Sequence, residues 1–98
     1  MLAVKKTRLT AAGNICAYPA MLHWLIVTNW DGDPRHVVLN DATSGTTGEV
    51  SKFYVASDRT EVFSFNPPIP CSTGIRIGTF EESAMEVTGG YSGEGQHV

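Results

Sequence analysis

Short apolar runs separated by turn residues dominate the chain. They lie at 22–30, 35–42, 50–57, 62–66, 74–80 and 84–91. Several of them alternate, whereas none of them keeps the 3.6-residue apolar period of a helix. Runs of this length at roughly ten-residue spacing are typical of antiparallel strands. The pattern therefore predicts an all-β domain, either an antiparallel sandwich or a small barrel. We expect the sandwich, of jelly-roll-like or immunoglobulin-like type with six to seven strands.

Turn residues and alternation refine this interpretation. The segments 31–34 (DGDP) and 43–49 (TSGTTGE) are rich in residues that favour turns and loops. Pro67 and Pro68 cannot donate to a sheet ladder, so they mark a strand end or an edge strand. The pair at 89–90 (GG) is expected to end the last strand. Alternation predicts that the following side chains face the core: Phe53, Val55, Ile75, Ile77, Met85 and Val87.

The two ends of the chain differ from its middle. Residues 1–14 carry three basic side chains and no acidic one, and 93–98 are mostly polar. We therefore expect a basic N-terminal arm over 1–14, a sandwich over 15–92 and a flexible polar tail over 93–98. The arm is predicted to order against an acidic partner surface. Its predicted partner-binding residues are Leu2, Val4, Lys5, Lys6, Arg8 and Leu9.

Size, composition and charge narrow the function classes. The 98 residues suffice for one modest core, 42% of them are hydrophobic, and the net charge is −3. A net negative charge argues against binding to duplex nucleic acid. The apolar stretch 15–27 is interrupted by Pro19 and His23 and is too short to span a bilayer. We expect neither a nucleic-acid nor a membrane partner.

Candidate chemistry is sparse. Asp31, Asp33 and Asp41 lie around one predicted hairpin, near His36, but the full calcium-loop pattern is absent, and Asp is common in turns. The sequence contains no Gly-x-Ser-x-Gly motif, and its three histidines are scattered. We therefore expect no metal, no cofactor, no catalytic residue and no enzymatic activity. A small hydrolase that uses Cys71 or a serine as nucleophile stays as a remote alternative.

Cys16 and Cys71 have two possible states. They are too few for a four-ligand zinc site, and whether one disulfide joins them depends on the fold. Disulfide-dependent small domains usually carry four or more cysteines, so we expect two reduced, partly buried thiols.

One aromatic residue stands out as a candidate for ligand binding. Most aromatic residues on sandwich strands belong to the core, but Trp30 lies at a strand end beside a polar turn. Trp30, Asp31 and Asp33 are therefore a possible ligand-binding group, for example for a stacked sugar.

The order of motifs between 22 and 91 resembles that of a known class of proteins. The matching segments are LIVTNW, RHVVLNDA, TSGTTG, VFSFNPPIPCSTGIRIG and MEVTGGY, of which FNPPIPCSTGI is the most specific. Together they resemble the small β-sandwich virion proteins of tailed phages. The chain departs from that pattern at Cys71, where an aromatic residue is usual, and at 89–90, where alternation usually continues.

The resemblance implies a structural virion protein without chemistry of its own. Its expected role is that of a capsid decoration or cement protein, which stabilises the shell by binding at symmetric sites. The implied partners are the major capsid protein or other virion proteins, and further copies of the chain, with a trimer favoured. The implied location is the virion, assembled in the cytoplasm of a bacterial host. The alternative is a tail-associated module that binds a carbohydrate or a receptor.

Overall fold

The computed structural model describes residues 4–93, which contain eight strands and no helix. The strands are β1 (Lys5–Leu9), β2 (Gly13–Cys16), β3 (Ala20–Asn29), β4 (Arg35–Asn40), β5 (Glu49–Val55), β6 (Arg59–Cys71), β7 (Ile75–Phe80) and β8 (Met85–Ser92). The expectation of an all-β domain is confirmed. The expected number of six to seven strands is too low, because two short strands lie before the first long apolar run.

The strands form two antiparallel sheets that enclose one core. The first sheet has the order β1-β8-β3-β6 and the second β2-β7-β4-β5. β4 and β5 follow one another along the chain and are neighbours in the second sheet. Every other connection between successive strands leads from one sheet to the other. This arrangement is that of a small β-sandwich.

The core consists of the inward-facing positions of both sheets. All six side chains predicted to face inward are buried, from fully buried Ile75 and Ile77 to Phe53, which is 8% exposed. The Phe53 ring lies 4.9 Å from that of Phe63 and 5.8 Å from that of Phe65, measured between centroids. These contacts join β5 of the second sheet to β6 of the first, so they close one side of the sandwich.

The N-terminal segment differs from the expected free arm over 1–14. β1 pairs with β8 from Lys5 opposite Tyr91 to Leu9 opposite Val87. Leu9 packs against the core, and β2 adds buried Ile15 to it. The physical reason is that Thr7 and Leu9 alternate with Lys6 and Arg8, which is a strand pattern that the basic charges obscured. Of the predicted tail, 94–98 lie outside the described residues.

Strand β8 continues through 89–90, so the expectation that this glycine pair ends the strand is wrong. A Cβ atom on Gly89 would lie 2.6 Å from Cδ1 of Ile15, and one on Gly90 would lie 2.5 Å from Cζ2 of Trp24. These distances are far below van der Waals contact. The two glycines therefore provide space for large side chains that cross over the strand.

Strand β6 is an edge of the first sheet, which is one of the two alternatives that the prolines left open; the other, a strand end at Pro67, is wrong. It passes through Pro67, Pro68 and Pro70, and its pairing with β3 shifts register between Leu22 and Trp24. Proline is tolerated here because an edge strand has one side that needs no hydrogen-bond partner.

The connecting loops gather at two opposite ends of the sandwich. At the first end, which we call the Trp30 end, the loops 30–34, 56–58 and 81–84 meet, because Trp30 N donates to Ala84 O and Ser57 Oγ donates to Asp31 O. At the second end, which we call the Asp41 end, the loops 41–48 and 72–74 meet around the Asp41 carboxylate.

Candidate functional site

A buried amide holds the turn that carries Trp30. Asn29 is fully buried at the end of β3. Its Nδ2 donates to the carbonyls of Asp33 at 3.0 Å, Val55 at 3.1 Å and Ala56 at 3.3 Å. Its Oδ1 accepts from the Asp31 N–H at 2.9 Å. One side chain therefore fixes the 30–34 turn against the end of β5.

The structure brings Trp30, Asp31 and Asp33 into this single turn, with different exposure. Asp31 accepts from Arg35 Nε at 2.9 Å and from Asp33 N at 3.1 Å, and the Arg35 hydrogen bond is the main cause of a lowered pKa at Asp31. Trp30 is 51% exposed, and the Asp33 side chain is 76% exposed. The Asp31 carboxylate is thus engaged in hydrogen bonds within the turn, whereas the Trp30 and Asp33 side chains face solvent.

Further carboxylates from the loop after β7 make the Trp30 end acidic. Glu82 lies 3.9 Å and Asp33 3.6 Å from the Arg35 guanidinium, and Glu81 accepts from the backbone N–H of His36 at 3.1 Å. With Asp31, three carboxylates therefore lie within 4 Å of one guanidinium, and Glu81 adds a fourth carboxylate beside the neighbouring His36. Among residues 4–93, no three His, Cys, Asp or Glu side chains are grouped so as to hold a metal ion.

The outward-facing positions of the first sheet form a second surface, which we call the outer face. Its residues are Lys6, Arg8, Trp24, Ile26, Thr28, Thr60, Val62, Ser64, Glu86, Thr88 and Gly90. One row across the sheet runs from Arg8 through Thr88 and Ile26 to Val62. The positions from β3 and β6 carry no charged side chain.

The middle of the outer face is apolar. The Trp24 indole lies over Gly90, in the space that a Cβ would need. Ile26 lies on the same strand, and its neighbour Val62 is 64% exposed. An exposed valine beside a tryptophan and an isoleucine forms a contiguous apolar strip, and such strips mark interaction surfaces more often than isolated apolar residues do.

A basic edge borders this strip. Lys5 and Lys6 are exposed, and neither forms an ion pair among the described residues. Arg8 forms a bidentate ion pair with Glu86. The hydrogen bonds between the two side chains raise the pKa of Arg8 and lower the pKa of Glu86. The expectation that the basic cluster has no acidic partner is therefore wrong for Arg8.

The other residues of the predicted arm differ in their exposure. Val4 is 51% exposed beside β1, and Leu9 packs against the core, so Leu9 is not available to a partner. Leu2 lies outside the described residues. Removal of residues 2–9 would delete an edge strand of the sheet and uncover β8, so point substitutions are the suitable test of the basic cluster.

The Asp41 end is held by a carboxylate. Asp41 accepts from the N–H groups of Ser72 at 3.0 Å, Thr73 at 2.8 Å and Gly74 at 3.3 Å. Desolvation acts to raise the pKa of Asp41, but these hydrogen bonds outweigh it, so the net pKa is lowered. Asp41 therefore acts as a clamp between two loops, which is the structural alternative to metal binding.

A pocket of about 490 Å³ opens near this end. It is lined by Pro19, Ala20, Met21, Pro70, Cys71, Ser72, Ser92 and Gly93. Ser92 Oγ lies 2.8 Å from Nε2 of His23, a contact that the sequence did not reveal. Ser92 is only 8% exposed, and no hydrogen-bond partner orients the other His23 nitrogen among the described residues. The pair therefore meets one geometric requirement of an activated nucleophile and lacks the others.

Both cysteines are free, as expected, and they are buried rather than partly buried. Desolvation is the main cause that raises the pKa of Cys71 to about 11, with smaller contributions from Asp41 and Cys16. Because the thiolate is the reactive form, a raised pKa makes Cys71 a poor nucleophile at neutral pH.

We expect a thiol reagent at pH 8 to label both cysteines rapidly in urea without reductant, and far more slowly in the folded protein. Burial blocks access in the folded state, and the raised pKa of Cys71 keeps its thiol protonated. Mass spectrometry over a time course measures both rates. Rapid labelling of the native protein would contradict the buried positions, and absence of labelling in urea would indicate a disulfide.

Comparison with known proteins adds no relative: no protein-family model, no curated protein and no solved structure matches the chain. The resemblance to phage virion proteins thus stays a prediction from motifs. In the part of the chain that the structure describes, no helix is long and apolar enough to cross a membrane.

Proposed function

We propose that the chain is a structural virion protein of a tailed phage, of the capsid decoration or cement type, that acts by burying surface against other virion proteins. The observation that carries the proposal is the outer face, where Trp24, Ile26 and Val62 form an apolar strip on a sheet that no other layer covers in the described structure. An assembly protein needs such a surface, and it needs no catalytic group.

The strand pairing supports a jelly roll rather than an immunoglobulin-like sandwich. Each strand of the first half pairs with its counterpart in the second half: β1 with β8, β2 with β7, β3 with β6 and β4 with β5. A long antiparallel ribbon that is rolled up in this way is an eight-stranded jelly roll. Viral capsid proteins and lectin domains both use this fold, so it is compatible with shell decoration and with carbohydrate binding and does not distinguish them.

The sheet edges support association through a face rather than through strand pairing. In the first sheet, β1 presents Lys5 and Lys6, and β6 carries three prolines. In the second sheet, β2 has only four residues and its pairing is irregular. Lysine, proline and short irregular strands each hinder the addition of a further strand. Three of the four edge strands therefore hinder open-ended pairing, with β5 as the fourth edge, and this favours a side-chain surface for a closed assembly.

The proposal is tested with phage shells that lack the chain. Purified protein is mixed with these shells and sedimented, and we expect it to pellet at saturation in a fixed ratio to the major capsid protein. Shells of an unrelated phage are the control. Absence of specific binding would refute the proposed role.

A carbohydrate-binding module on a phage tail is the second candidate, favoured by the exposed indole of Trp30. A planar indole that is 51% exposed beside polar side chains offers one face for a stacked sugar. A glycan array compares the native protein with its Trp30→Ala variant. Reproducible binding that the variant loses would favour this candidate over shell decoration.

A further inference from the structure

The Trp30 end and the outer face have complementary chemistry. The outer face has an apolar strip bordered by Lys6, and Lys5 lies beside Lys6 at the exposed edge of β1; no carboxylate of the described residues neutralises either lysine. The loops of the Trp30 end carry one exposed indole together with the side chains of Asp33, Glu81 and Glu82, and these carboxylates outnumber the single guanidinium of Arg35 to which Asp33 and Glu82 are close. One surface is thus apolar with a basic border, and the other is aromatic with an acidic border.

The two surfaces lie at different ends of the same molecule. Lys5 and Lys6 are opposite Tyr91 and Gly90, near the end of β8, whereas Trp30 bonds to Ala84, next to the beginning of β8. A molecule therefore cannot join its own two surfaces, but two copies can meet head to tail. Contacts of this heterologous kind generate rings when the rotation between copies closes.

We propose that the outer face with its basic edge binds the Trp30 end of a second copy of this chain. Trp30 provides the apolar anchor that rests on the strip of Trp24, Ile26 and Val62. Lys6 on the outer face, with Lys5 at the edge beside it, adds positive charge opposite Asp33 and Glu82. Tryptophan is enriched among the residues that dominate binding energy, and the charged border selects the partner and its orientation. The contact explains why an exposed tryptophan and an exposed apolar strip occur in the same small domain.

The inference deepens the proposed assembly role by naming a partner, but its test needs only purified protein. A protein that does not bind phage shells can therefore be distinguished from one that does not associate with itself. If the outer face binds a different acidic protein instead, the purified chain stays monomeric, and this result would overturn the proposal.

Sedimentation equilibrium over a dilution series measures the association. We expect an oligomer for the native chain and a monomer for two reversal variants, Lys5→Glu/Lys6→Glu and Asp33→Lys/Glu82→Lys, because each places like charges across the contact. The variant that combines all four reversals restores opposite charges and is expected to regain the oligomer. Trp30→Ala is expected to raise the Kd ~30-fold, as for a residue that dominates an interface.

The control is Lys52→Glu. It also reverses the charge of an exposed lysine, but on β5 of the second sheet, where Lys52 pairs with Glu49. It should leave the oligomer intact, and circular dichroism first establishes that every variant keeps its β-structure. A monomeric native chain, failure of the four-fold reversal to regain the oligomer, or equal dissociation by Lys52→Glu would each overturn the proposal.

Discussion

Replacement of Gly90 by alanine is expected to lower the free energy of unfolding by about 2–3 kcal/mol, which is a large share of the stability of a domain of this size. The reason is steric. The added Cβ would lie 2.5 Å from the Trp24 Cζ2 atom, so the indole must leave its position over β8 or the strand must move. Urea unfolding measures the loss, and a shift of tryptophan emission towards longer wavelength reports the displaced indole.

Two controls isolate this contact. Gly32→Ala adds the same atom in a turn where nothing lies within 4 Å of the new Cβ, so we expect little change in stability. In a Trp24→Ala background the cost of Gly90→Ala should largely disappear, because the two residues are coupled only through the indole. An equal cost in both backgrounds would contradict the packing described for the outer face.

Replacement of Asn29 by alanine is expected to cost about 2–4 kcal/mol, since it removes the partners of several buried backbone groups at once. The carbonyls of Asp33 and Val55 and the Asp31 N–H all bond to this amide. Urea unfolding again gives the loss. The variant should also weaken self-association, because the turn that presents Trp30 loses its anchor.

Asn14→Ala is the matched control for this prediction. Asn14 also bonds to a loop carbonyl, that of Thr43, and to Arg76, but it is only partly buried. Water can replace its hydrogen bonds, so we expect a cost of about 1 kcal/mol or less. If the two substitutions cost the same, Asn29 does not act as the buried clamp of the Trp30 end.

Alternation along the chain was sufficient to predict the core of β5, β7 and β8. Phe53 and Val55, or Met85 and Val87, are separated by polar residues, and a period of two leaves only one face for them to share. Local chemistry also excluded a central position for β6, since Pro67 and Pro68 lack the N–H that a central strand needs, but it did not distinguish an edge strand from a strand end.

Other features depend on contacts between distant segments. β1 has one core residue, Leu9, among three basic ones, and its strand conformation requires β8 as a partner. The glycines at 89–90 resemble a strand end until Ile15 and Trp24 are in position above them. The sequence identified Trp30 as a candidate, but the complementarity between its acidic surroundings and the basic edge depends on the loop after β7, fifty residues away.

The proposed role as a repeated component of a phage shell is tested most directly by the copy number of the chain in purified particles of the phage that encodes it. Quantitative mass spectrometry gives its ratio to the major capsid protein. We predict a fixed stoichiometric ratio that corresponds to occupancy of symmetric sites over the whole shell. Absence of the chain from the particles, or a few copies for each particle as at a tail, would contradict decoration of the capsid.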